Sequence, residues 1–174
     1  MKAKSSGFTL IELIVVIVIL AILAVVAMPK FMSISKEANV ATLEGLGGAV
    51  HDAVELAHDK AIIEGKQDEP NYSMDGYGTL QFGHPAVNKQ GLVQFMNFDG
   101  GYHDLTKKWV WAAHNNGDVN DPDYWIATHS NYLKDFKGTD FNAAIMATEC
   151  YVQYVAPMQK DDGYQVVTIT DGCR

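Results

Sequence analysis

Glu12 is the residue whose chemistry most needs a partner. Between positions 8 and 28 only Thr9 and Glu12 are polar, and positions 13–28 carry no polar side chain. A carboxylate in an apolar span of this kind costs about 2.5–3.5 kcal/mol near the centre of a bilayer, and less towards an end. It therefore needs a cation. The available one is an α-amino group, created if the chain is cut after Gly7 so that Phe8 becomes the N-terminus. Other residues have suggestive spacing but incomplete sets. Glu55-x-x-His58 matches one di-iron half-site, but its second copy is missing, which leaves an exposed polar flank of a helix as the plain reading. His51 and His58 lie seven apart on one side of that helix, without further zinc ligands.

Asp118, Asn120, Asp121 and Asp123 offer oxygens that would suit Ca²⁺. They depart from an EF-hand loop: Pro122 occupies a ligand position, Asp123 stands where glycine belongs, and His129 replaces the closing glutamate. No cofactor is expected, calcium on this loop being the one candidate. Asn71-Tyr72-Ser73 fits a glycosylation sequon, a match frequent by chance. The chain has no Gly-x-Ser-x-Gly, phosphate loop or Cys-x-x-Cys, and no converging catalytic set, so it is not expected to be an enzyme.

The elements that position these residues fall into two parts. The 174 residues are 48% hydrophobic and 20% charged, which excludes wholesale disorder. The mean hydropathy of −0.05 averages a greasy N-terminal stretch with a polar, acidic, glycine-rich remainder. The formal charge is −8, and Lys2 and Lys4 precede the apolar run, so the chain from Phe8 onward carries 11 basic and 21 acidic residues. A head so acidic repels nucleic acid and anionic lipid, and no nucleic-acid partner is expected.

Residues 1–28 admit three readings. A secretory signal has a basic start and small residues at its cleavage site, which Ala21, Ala24 and Ala27 imitate, but its apolar part runs about 7–15 residues. A membrane anchor needs roughly 20 apolar residues, which positions 8–28 supply, and Lys2 and Lys4 would keep its N-terminus cytoplasmic. Only a chain cut before Phe8 also accounts for Glu12.

Beyond Pro29, which is expected to kink or locally melt a helix, Val40, Leu43, Leu46, Val50, Val54, Ala57 and Ala61 recur at three- and four-residue steps. That spacing predicts an amphipathic helix with one face on a core. Gly45, Gly47 and Gly48 weaken it or admit a close neighbour, and Gly65 is its expected stop. The sequence then reads as short strands at 79–82, 91–98, 109–111, 124–127, 151–155 and 165–170. Turn signals fall at 99–101, 115–117 and 161–163, and a short helix at 141–148 is capped by Thr139 or Asp140. The expected architecture is α+β, a long N-terminal helix packed on an antiparallel sheet.

Gly7-Phe8-Thr9-Leu10-Ile11-Glu12, followed by an unbroken aliphatic run, resembles the class III signal of type IV pilins and their relatives. The resemblance implies a leader at 1–7 removed after Gly7 by prepilin peptidase and methylation of the new N-terminal Phe8. It also implies that Glu12 faces a neighbouring subunit's amine in a filament. Domains would be the leader, a transmembrane or filament-core helix at 8–28, an amphipathic helix at 29–65 and a globular head at 66–174. The family's disulfide-closed C-terminal region implies a Cys150–Cys173 bridge.

Met28-Pro29-Lys30-Phe31 and Thr42-Leu43-Glu44-Gly45-Leu46 resemble mannose-sensitive haemagglutinin pilins, whose pili serve attachment and biofilm formation. The implied protein is the major subunit of a homopolymeric type IVa pilus of a Gram-negative bacterium. It would cross the inner membrane once, head periplasmic, before the assembly machinery there moves it into an extracellular filament. A pseudopilin of a type II secretion system and a minor pilin are the alternatives.

Overall fold

The computed structural model describes residues 8–174. Helix α1 (Leu10–Ile63) is 54 residues long and contains Pro29 without interruption, so of the kink or local melting expected there the melting does not occur. Proline removes one hydrogen bond and costs about 3 kcal/mol in a helix interior. The flanking run is rich in strong helix formers, and an apolar surrounding penalises any backbone group left unpaired, so the helix continues through it. α1 ends at Gly65, which adopts φ +66°. The Lys66 amide donates to the Ala61 carbonyl at 2.8 Å and the Gly65 amide to that of Ile62 at 3.0 Å, the Schellman closure that a left-handed glycine allows.

The chain divides into two compact units, one through Ala38 and the other spanning Asn39–Cys173. In the first, every described residue except the half-buried Ala27 is exposed, including the whole apolar run. In the second, the stripe read from sequence is buried: Leu43, Leu46, Val50, Val54, Ala57 and Ala61 are at most 6% exposed.

Two sheets cover that stripe. β1 (Tyr72–Met74), β2 (Gly78–Gln81) and β3 (His84–Pro85) form an antiparallel three-stranded sheet. Its Met74 and Leu80 pack on Ala57 and Ala61. The larger sheet runs β4 (Gly100–Tyr102), β5 (Trp109–His114), β6 (Tyr124–His129), β7 (Tyr151–Val155), β8 (Gln165–Ile169). β4 lies parallel to β5 and the other pairs are antiparallel, so the sheet is mixed where an antiparallel one was expected.

One face places Trp109, Trp111, Trp125, Val152 and Tyr154 against Leu43, Leu46 and Val50. The other packs Val110, Ala112 and Ile126 with Leu133 and Ile145, the latter from helix α2 (Phe141–Met146). Burial on both faces explains why β5 reads as a nearly continuous apolar run. Asp140 caps α2 through its Oδ1, which accepts the Ala143 amide at 3.0 Å.

Three readings change. The strand expected at 91–98 is a single 3-10 turn at Leu92–Gln94. Gly91 sits so close to Ala86 that a Cβ there would meet its carbonyl oxygen at 1.7 Å, and the turn drives Leu92 fully into the core. Gly100 and Gly101, read as a turn, form β4 by pairing with β5, and the ring of Phe98 occupies the space that a Cβ on Gly100 would take. β1 and β3 were not read as strands.

Candidate functional site

Thr9 precedes α1 and Glu12 is the third residue inside it. The Glu12 Oε2 accepts from the Thr9 amide at 2.8 Å and from the Thr9 hydroxyl at 2.6 Å, while Thr9 Oγ1 accepts the Glu12 amide at 3.4 Å. This is a capping box, in which two otherwise orphaned backbone donors of the first helical turn are satisfied reciprocally. The signal was present in the sequence as Thr-x-x-Glu ahead of an apolar run. Both side-chain bonds fall on Oε2, and an ionised carboxylate has acceptor positions on both oxygens. A cation approaching Oε1 would therefore add to the cap without displacing it. Phe8 is 77% exposed beside this turn. Gly7, the expected cleavage position, lies outside the described residues.

The apolar side chains that follow, from Leu10 through Ile34, are at least 45% exposed wherever they are large. The helix carrying them is long and apolar enough to cross a membrane. An apolar surface unbroken from position 13 to 28 marks burial against lipid or other protein.

Cys150 and Cys173 form a disulfide with a Cα–Cα distance of 4.9 Å. Both are buried, and the bridge encloses β7 and the edge strand β8. Closing a loop of this size stabilises by roughly 3 kcal/mol on the chain-entropy account.

Three of the calcium candidates each use one carboxylate oxygen within or beside their own loop. Asp118 Oδ1 accepts from the Asn120 amide at 2.9 Å and its side-chain Nδ2 at 3.1 Å. Asp121 Oδ2 contacts His114 Nε2 at 2.9 Å and Asn116 Nδ2 at 2.7 Å. Asp123 turns inward, 2% exposed, with Oδ1 accepting the Asn116 and Gly117 amides at 3.0 and 3.3 Å. Among the described residues no group of three or more His, Cys, Asp or Glu is placed to hold a metal ion.

His51, Glu55 and His58 share a face of α1, as their spacing required, and are joined by residues remote in sequence. Glu55 Oε1 accepts the Tyr164 hydroxyl at 2.5 Å, and His51 Nε2 lies 2.9 Å from that hydroxyl. Burial, then the bond to Glu55, raise the Tyr164 phenol to about 12. His58 stacks on His84. Nothing near Glu55 or His58 in sequence announces His84 or Tyr164; only strand pairing brings them in. Asn71 of the sequon is exposed and leads into β1.

Comparison with known proteins matches residues 2–28 to the family described as the prokaryotic N-terminal methylation motif. No curated protein and no solved structure matches the chain. The motif is the leader of type IV pilins and pseudopilins and implies processing by prepilin peptidase and handling by pilus or secretion machinery. The exposed apolar helix behind it fits a membrane anchor. The chain thus carries the N-terminal methylation motif at the head of a type IV pilin-like α+β fold, in which a long helix packs on a β-sheet closed by a disulfide.

Proposed function

We propose that this protein is the major structural subunit of a type IV pilus, polymerising through α1 into a surface filament used for attachment and biofilm formation. The observation that carries the reading is the exposed apolar length of α1, with one carboxylate, Glu12, at its start. Before assembly a bilayer covers that surface, Lys2 and Lys4 holding the N-terminus in the cytoplasm and the head entering the periplasm. In the filament sister helices cover it instead, so the subunit passes between the two without exposing the surface to water.

Cleavage after Gly7 frees the Phe8 amine, which is methylated and meets Glu12 of a neighbouring copy. Neither charge is stable alone among aliphatic side chains, so the pair fixes the axial register of subunits more than it adds net stability. The disulfide-closed head fits a pilin body subunit better than a secretion pseudopilin.

Immunogold labelling of intact cells with antibody to the head tests this. Long labelled surface fibres are expected. Label confined to the periplasm would overturn the pilus reading in favour of a secretion pseudopilin.

A further inference from the structure

β2 and β3 are joined by two residues, Phe82 and Gly83, since Gln81 pairs with His84. Both have positive φ, +48° and +75°. This is the mirror-image turn that suits a hairpin, but Phe82 is a bulky side chain in a region that L-residues avoid, so the turn is strained. It is held against α1. The His58 Nδ1–H donates to the Gly83 carbonyl at 3.3 Å, and the His84 Nδ1–H donates to that of Phe82 at 2.9 Å. The two imidazoles stack with centroids 4.3 Å apart and planes 18° from parallel. The approach is close: a Cβ on Gly83 would lie 2.8 Å from the Gln67 Cα and 3.0 Å from His58 Nδ1.

We propose that His58 and His84 form an acid-sensitive latch that clamps the strained Phe82–Gly83 turn to α1 and releases it once both rings carry a proton. With Nδ1–H committed to carbonyls, each added proton goes to Nε2. One proton is tolerated, because a cation stacks favourably on a neutral ring and Glu55 lies nearby. A second puts two like charges face to face at half-buried positions, which both desolvation and Coulomb repulsion disfavour.

The segment packed on the turn at Gln67 carries the titratable groups Lys66 and Glu69, paired with each other, and Asp68, paired with Lys160. α1 contributes His51 and Glu55; the segment before β8 contributes Tyr164, 5.4 Å from His84 between ring centroids; β7 contributes Tyr154, whose hydroxyl donates to the Pro85 carbonyl at 2.8 Å. Burial, the largest influence, holds His84 below its ordinary value and the His58 ring adds to that, while the bond to the Phe82 carbonyl and the Glu55 carboxylate favour the cation and only partly offset it. Release opens the Phe82 amide's bond to the Glu69 carbonyl (2.8 Å) along with the turn, while Pro85 stays held by Tyr154, so the opening is local and the Phe82 amide reports it. The proposal stands independently of the pilus reading.

The test uses the full chain in detergent micelles. Hydrogen-exchange protection factors are measured at pH 7.5 and 5.0, and imidazole titration is followed by NMR. The wild type should lose about tenfold more protection at Phe82 and His84 than in β5 and β6 on acidification, one pH unit of linkage being tenfold. The pair should also take up protons in two separated macroscopic steps. His84→Phe, which leaves one ring able to charge, should abolish the excess loss. Glu55→Gln should move the opening to higher pH. Equal loss across the three segments, or two unlinked titrations at the same pH in the wild type, would overturn the latch even if either variant failed to fold.

Discussion

Glu12 has two oxygens and two demands on them. Within one chain, Oε2 completes the cap that starts α1; in a filament, a sister chain's amine would need the same carboxylate charged. The two roles separate under substitution, because glutamine serves in a capping box while carrying no charge. Glu12→Gln is expected to insert into membranes normally and yet lose more than about tenfold in filament yield by electron microscopy. Leaving one charge of a buried pair without its partner costs about 3–5 kcal/mol. Wild-type filament yield from Glu12→Gln would reduce the residue to a helix cap. Turn-forming and metal-binding loops draw on the same residue types, and in this loop one carboxylate oxygen each of Asp118, Asp121 and Asp123 accepts from amides of the loop itself.

Among the elements, α1 was the most legible, since a 3.6-residue stripe buried against a core is a long and redundant signal. Its glycines were ambiguous, and the structure separates them. A Cβ on Gly47 would meet Thr168 Oγ1 of β8 at 2.5 Å, whereas Gly45 and Gly48 have nothing within 4 Å. Gly48→Ala should therefore stabilise the detergent-solubilised monomer by about 0.5–1 kcal/mol through helix propensity. Gly47→Ala should destabilise it by about 1 kcal/mol, overpacking outweighing the same gain. Urea melts of the two variants check this, and equal shifts would contradict the close α1–β8 approach. The strands read at 109–111, 124–127 and 151–155 were legible from β-branched and aromatic content, and the structure extends the first two to His114 and His129. β1, β3 and β4 were not: they are two or three residues long, too short for an alternating pattern to show.

At the scale of the whole molecule, acid should weaken the fold. Burial lowers His84, His103 and His129 below the ordinary imidazole value. Geometry agrees for two of them. His129 Nδ1 accepts the Asn131 amide at 3.2 Å and must stay unprotonated to do so. His103 lies stacked between Tyr102 and Phe141 with a buried Nε2 that has no hydrogen-bond partner among the described residues. A lowered histidine means that the unfolded chain takes up protons first. The stabilisation is complete above about pH 6.5 and is lost as the pH falls from there through the folded-state values. Thermal melting at pH 7.5 and 5.0 should give a lower Tm at pH 5.0, by about 2–4 °C for each kcal/mol lost. A Tm unchanged or higher at pH 5.0 would contradict it.

The polymer reading depends on a chemical event at one bond. Residues 2–28 match the methylation motif, and the apolar side chains of α1 within and just after that stretch are exposed. Mass spectrometry of the N-terminal peptide from the purified protein tests this most directly. A peptide beginning at Phe8 and heavier by one methyl group is the expected result. A chain that still begins at Met1, or that starts beyond Ala27 as a secretory signal would leave it, would contradict the account.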